Sequence, residues 1–70
     1  MNDLVRHDAL RRREIYTKRE AADYLRVSVR SIENYLASGR LGHFKIGKSV
    51  RISRAALDAF LQRHFVEPDV

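Results

Sequence analysis

Two stretches of helical periodicity, at about 18–25 and 29–38, stand three residues apart, and no other feature of the sequence restricts the fold so strongly. Thr17-Lys18-Arg19-Glu20 fits a capping box, in which the Thr hydroxyl and the Glu carboxylate satisfy amide donors exposed at a helix start. Ala21, Ala22 and Leu25 then fall on one face, with Arg19, Asp23 and Arg26 elsewhere. Arg26-Val27 makes a tight connection, and Ser28 is a good N-cap for the second helix. In that helix Ile32, Tyr35 and Leu36 share a stripe, while Arg30, Ser31, Asn34 and Ala37 lie towards another. Gly39 stands where a left-handed C-terminal residue belongs. With Val27 pointing inward between them, two such helices read as a helix-turn-helix.

The period then changes. His43-Phe44-Lys45-Ile46 and Val50-Arg51-Ile52 alternate with a spacing of two around Gly47-Lys48-Ser49, which predicts a β-hairpin with a three-residue loop. Ser53 caps a last helix over about 54–65, with Ala56, Leu57, Phe60, Leu61 and Phe65 on its apolar face. A hairpin placed after a helix-turn-helix is a wing. The expected fold is therefore mainly α with a small β-hairpin, a winged helix-turn-helix domain over residues 15–65. Ile15-Tyr16 is a short β-prone pair leading into Thr17. Residues 1–14 read as an N-terminal arm, flexible or a short helix, and 66–70 as a C-terminal tail.

Composition narrows the function. Seventy residues make one small domain, which buries only about 60% of the surface of its unfolded chain. Cysteine is absent, so neither disulfides nor thiolate ligands supplement the core. No apolar run approaches the length of a membrane span and no signal pattern opens the chain, so a cytoplasmic protein is expected. The net charge is +5, unevenly placed. Residues 15–54 hold nine basic and three acidic groups, whereas residues 55–70 hold Arg63 against Asp58, Glu67 and Asp69. A basic middle suggests one face made for a polyanion. Catalysis is not expected: His7, His43 and His64 lack metal-ligand spacing, no glycine-rich phosphate loop exists, and no nucleophile–base set assembles. No cofactor, metal or small-molecule substrate is expected.

An ordered set of residues carries a family resemblance. Thr17-x-x-Glu20-Ala21-Ala22-x-x-Leu25-x-Val27-Ser28-x-Arg30-Ser31-Ile32 resembles the opening of the excisionase-type, MerR-like winged-helix DNA-binding domains. The likeness continues through Ser38-Gly39-x-Leu41 and Ile46-Gly47-x-x-x-Arg51-Ile52 to Leu57, Phe60 and Leu61. Two departures stand out. Arg26 occupies a position where the family often has glycine, so the turn is expected to adopt a conformation that tolerates a side chain. Gly42 and His43 replace a proline common after the second helix.

The resemblance implies that the second helix enters the major groove and the wing lies beside it. Arg30 offers the fork that matches guanine, and Asn34 the amide that matches adenine. Ser28 is mainly a cap, and Ser28 or Ser31 can touch a phosphate. Glu33 either accepts from a cytosine amino group or, as the preferred reading, pairs with Arg30 and positions it. On the wing, Lys45, Lys48, Ser49 and Arg51 are the expected contacts to phosphate or minor groove. Lys18, Arg19 and Arg40 are candidates for the flanking backbone. The bland alternative for each is a solvated side chain.

A free-standing domain of this kind is expected to act as a phage or mobile-element excisionase, also called a recombination directionality factor. By resemblance, such proteins bind several sites beside an attachment site, bend the DNA, and favour the integrase complex that excises the element. The expected partners are double-stranded DNA, neighbouring copies of the chain and a phage integrase, in the bacterial host cytoplasm if phage-encoded. The +1 arm and −2 tail are candidates for head-to-tail neighbour contacts. The alternatives are a small MerR-like transcriptional regulator on promoter DNA and an adaptor docking an integrase or a host factor.

Overall fold

The computed structural model describes residues 14–69, and the expected arm therefore lies outside the described residues apart from Glu14. Its elements run β1 (Ile15–Tyr16), α1 (Lys18–Leu25), α2 (Val29–Ala37), β2 (Phe44–Ile46), β3 (Ser49–Ser53) and α3 (Arg54–Arg63). Three helices and a small antiparallel sheet of order β1-β3-β2 form the winged helix-turn-helix expected from the sequence. The β-prone Ile15-Tyr16 pair becomes a third strand, Ile15 opposite Ser53 and Tyr16 opposite Ile52. The Arg54 amide extends this pairing by donating to the Glu14 carbonyl at 2.8 Å.

Each helix starts as its residues dictate. The Glu20 amide donates to Thr17 Oγ1 at 3.1 Å, and the Thr17 amide to Glu20 Oε1 at 2.9 Å, closing the capping box. Ser28 Oγ accepts from the Ser31 amide, and Ser53 Oγ from the Ala56 amide, both at 3.0 Å.

The helix ends are more informative. At the end of α2 the Arg40 amide reaches the Tyr35 carbonyl at 2.9 Å and the Gly39 amide reaches Leu36 at 3.2 Å. With Gly39 at φ +74°, this is a Schellman cap, in which the left-handed residue carries no Cβ penalty. The end of α1 has the same bonding, Val27 to Ala22 at 2.9 Å and Arg26 to Asp23 at 3.2 Å. Here the left-handed position, φ 59° and ψ 45°, is filled by Arg26. The expectation that the turn would avoid a glycine-like conformation is thus corrected. A three-residue connection between crossing helices needs the chain reversal of the Schellman geometry, and Arg26 bears its strain of about 1–2 kcal/mol. Where a proline was missing, His43 Nδ1 bonds the Leu41 carbonyl at 3.1 Å and holds the turn from the side.

The core comprises Ala21, Ala22, Ile32, Leu41, Ile52, Leu57 and Phe60, all buried. The apolar halves of the helices and the inner face of β3 meet there. Two expectations for the last helix are corrected. It ends at Arg63 rather than 65, because His64 takes the C-cap and its Nδ1 donates to the Phe60 carbonyl at 2.8 Å. The imidazole also stacks on Phe60 with centroids 4.1 Å apart. Leu61 and Phe65 are exposed. At about 100° per residue the buried face of α3 centres between Ala56, Leu57 and Phe60, which leaves Leu61 roughly a quarter turn outside it.

Candidate nucleic-acid interface

The inner face of α2 is set by Ile32, with Val29, Tyr35 and Leu36 packed beside it against the core. Tyr35 also leans on Phe60, centroids 4.7 Å apart, which ties α2 to α3. Advancing about 100° per residue then puts Arg30, Asn34 and Ala37 on the opposite face, with Ser31 and Glu33 to either side. Arg30 and Asn34 are exposed, one turn apart, and neither side chain has a partner among the described residues. Side chains at that spacing lie about 5–6 Å apart at Cβ, close enough to address neighbouring base pairs. The Ser28 hydroxyl is occupied locally. It accepts from the Ser31 amide and donates to Ser31 Oγ at 3.0 Å, consistent with a capping role.

Glu33 corrects the sequence reading. Its Oε2 faces Lys18 Nζ at 3.5 Å, not Arg30. The helix-turn-helix packs the first turn of α1 beside the exposed edge of α2, and that tertiary neighbour displaces the one expected from spacing within the helix. Lys18, expected at a phosphate, therefore has an internal carboxylate partner, although an exposed pair of this kind is weak.

The wing also differs from its expected form. Ser49 is the first residue of β3 and pairs with Ile46, so the loop is two residues long, Gly47-Lys48. Gly47 has φ +62° and Lys48 does not share the positive φ, the pattern of a type II′ turn, in which glycine comes first. A primed turn suits the right-handed twist of the flanking strands, which the unprimed types I and II would splay apart.

The register sorts the wing residues by face. Lys45 lies opposite Val50, on the side of the sheet that carries the buried Ile52. Arg51 lies opposite Phe44, on the outer side with Ser49 and Ile46. Arg51 is half-buried and its Nη1 donates to the Val50 carbonyl at 2.8 Å. Lys48 alone occupies the tip. The four expected wing residues are thus distributed over two faces and a turn rather than one surface.

The remaining cations divide similarly. Arg19 is exposed with no partner among the described residues. Arg40 donates from Nε to Ser38 Oγ at 3.0 Å, and its guanidinium stands 5.2 Å from the centre of the Tyr35 ring. Its carbonyl accepts from Arg63 Nη2 at 2.6 Å, which fastens the end of α3 to the connection after α2. Of the nine basic residues in 15–54, Arg19, Arg26, Arg30, Lys45 and Lys48 have no acceptor among the described residues. The charge of these five is not paired with any carboxylate among the described residues.

One cluster escaped the sequence reading. The Tyr24 hydroxyl donates to Asp58 Oδ1 at 2.6 Å, and Arg54 Nε stands 3.7 Å from Asp58 Oδ2. The hydrogen bond to Asp58 holds the Tyr24 phenol above its ordinary pKa. Tyr16 meets the Tyr24 ring edge-on at 5.3 Å. The Arg54–Asp58 spacing of four was visible in the sequence as a helix pair. Tyr24 is 34 residues from Asp58, and no local signal joins them.

Among the described residues no group of His, Asp and Glu could hold a metal ion, and no helix is long and apolar enough to cross a membrane. No curated protein and no solved structure matches the chain. The sequence does match a family model, described as a helix-turn-helix domain, over residues 15–64. That match spans the strand, the paired helices, the wing and α3 alike, and the chain belongs to this helix-turn-helix domain family, a family of DNA-binding proteins.

Proposed function

We propose that the chain reads duplex DNA with α2 in the major groove and acts as an excisionase, a recombination directionality factor. The observation that carries the DNA mode is the pair Arg30 and Asn34, exposed, unpartnered among the described residues, and opposite the buried Ile32 stripe. A helix fits the major groove, and these two side chains carry the donors and acceptors that distinguish guanine and adenine there. Lys48 at the wing tip, with Lys45, Ser49 and Arg51 on the hairpin, supplies backbone or minor-groove contacts. Arg19 and Arg40, with Lys18 and the Ser28–Ser31 hydroxyls, flank the helix on phosphates.

The excision role rests on the ordered resemblance of residues 15–63 to excisionase-type domains. In this reading the domain occupies 15–65, and the arm and tail serve contacts between copies on adjacent sites. A small winged domain depends on phosphate contacts, so its affinity for one site is modest and falls steeply with salt. Neighbouring copies raise it through local concentration, and a curved array bends the duplex and assists an integrase.

A nuclease footprint on the DNA flanking the gene, titrated at two salt concentrations, tests this. Several same-orientation sites filling cooperatively beside an integrase core are expected. A single site or an inverted pair over a promoter means a MerR-like transcriptional regulator instead. The adaptor reading draws on a different observation, the exposure of Ile15, Phe44 and Ile46 on the outer sheet face. Unchanged DNA affinity after neutralising Arg30, Lys48 and Arg51 together would transfer the function to that face.

A further inference from the structure

We propose that Glu33 is a selectivity-determining residue that demands a cytosine in the bound site, with Lys18 as the residue that positions it. The inference rests on the DNA-binding reading above and concerns which base one particular side chain admits.

Glu33 stands on the outward half of α2 between the direction of Arg30 and the edge facing α1. Its side chain is 53% exposed. Lys18 Nζ, at 3.5 Å, engages Oε2 only, and Oε1 has no partner among the described residues. Lys18 springs from the first turn of α1, which the Thr17–Glu20 capping box holds in place. One oxygen is therefore tethered towards α1 and the other is left for a ligand. The ammonium also offsets the repulsion that a carboxylate meets on entering the field of the phosphates.

An ionised carboxylate accepts hydrogen bonds and donates none. In the major groove guanine presents O6 and N7 acceptors and thymine the O4 acceptor, so both repel it. Adenine offers its N6 amino group, but the N7 acceptor lies beside that group. Cytosine offers the N4 amino group with no acceptor next to it on the same edge. Glu33 thus penalises three bases and rewards one. Its task complements that of Arg30, a pure donor that fits the guanine edge. An arginine and a glutamate one turn apart together favour a G and a C on neighbouring positions.

The test is selection from a pool of duplexes with a randomised central segment, using the full chain and its Glu33→Gln, Glu33→Ala and Lys18→Met variants. All three replacements are at the surface, and matching thermal midpoints establish that each variant is folded. The wild-type chain is expected to enrich a cytosine at one position, by about tenfold over other bases, given the usual worth of one good base contact. Glu33→Gln is expected to bind the unselected pool more tightly and to move the preference at that position to adenine, whose N6 and N7 match an amide. Glu33→Ala is expected to lose the preference there while keeping the others. Lys18→Met is expected to weaken cytosine selection, an effect that loss of a phosphate contact alone does not produce.

Identical base preferences in wild type and Glu33→Gln, with only a uniform change of affinity, would overturn the proposal and leave Glu33 as a charge on the surface. Enrichment of a motif without a cytosine dependent on Glu33 would overturn it equally while sparing the DNA reading. Failure of the wild-type chain to enrich any duplex would remove both together.

Discussion

The second helix and the wing, the two parts of the domain proposed to meet DNA, are anchored in different ways. In α2 the large apolar side chains all turn inward, with Ile32 at 0% exposure and Tyr35 against Phe60. In the hairpin the outer face carries Phe44 at 56% and Ile46 at 65% exposure, and only Val50 and Ile52 reach the core. Side chains on α2 are therefore aimed by close packing, which tolerates little displacement. Those on the wing are aimed by a backbone ladder and a two-residue turn. Reading of base edges belongs on the first kind of support, since it needs fixed geometry. Contacts to phosphates, which carry no sequence information, suit the second.

The largest effect that would break this contrast is at Ile32. Ile32→Ala should cost about 2–5 kcal/mol through lost burial and the cavity left behind. A 70-residue domain has roughly 4–10 kcal/mol in total, so urea denaturation should show a much lower midpoint or an unfolded chain. A loss under about 1 kcal/mol would mean that α2 is not held by the core. Next comes Arg30→Ala, expected to cost about 1–3 kcal/mol of affinity at the preferred site with an unchanged thermal midpoint. An equal loss on every duplex would instead class Arg30 as a phosphate contact.

Lys48→Ala sharpens the wing side. Its affinity should fall on all sequences alike, the slope of log affinity against log salt should shrink by about 0.9, and stability should stay within about 0.5 kcal/mol. A drop in stability as large as that at Ile32 would show the wing to be integral to the core. A smaller effect of opposite sign is expected at the turn. Arg26→Gly removes a side chain from the left-handed region and should stabilise the fold by roughly 0.5–1 kcal/mol. Relief of about 1–2 kcal/mol of strain outweighs the greater freedom of glycine in the unfolded chain.

The smallest expected effect concerns the Tyr24–Asp58 bond, which joins α1 to α3 and has no counterpart in the wing. The raised Tyr24 pKa favours the neutral phenol in the folded state. Its contribution is therefore complete below the unfolded value near 10 and is lost as pH rises through the folded one. Thermal midpoints measured across that alkaline range should fall in the wild-type chain and fall less in Tyr24→Phe.

Much of this was legible along the chain because the signals are local. The Thr17–Glu20 box, the Ser28 and Ser53 caps, and Gly39 each act within four residues of themselves, and α1 began and ended where they placed it. Periodicity likewise identified the Ile32 stripe and the alternating hairpin. Sequence and structure part where a local pattern competes with a distant partner. Ile15-Tyr16 forms the strand that its β-prone residues predict, but only the sheet register supplies β3 as its partner, and Glu33 has an acceptable neighbour in Arg30 until α1 brings Lys18 nearer. Leu61 and Phe65 carry the apolarity of a core residue without a core position.

What the sequence determined by itself is the order and the starts of the helices, the existence of the wing, the basic character of residues 15–54 and the pair Arg30 and Asn34 on an outward face. Caps and periodicity are consequences of short-range sterics and of burial by repeat, and both can be computed from neighbours along the chain. Tertiary structure alone decided the partner of Glu33, the left-handed state of Arg26, the division of the wing residues between two faces, and the Tyr24–Asp58 link. Each of these depends on which surfaces meet when the helices cross and the sheet registers, and that choice is made by the packing of the whole core.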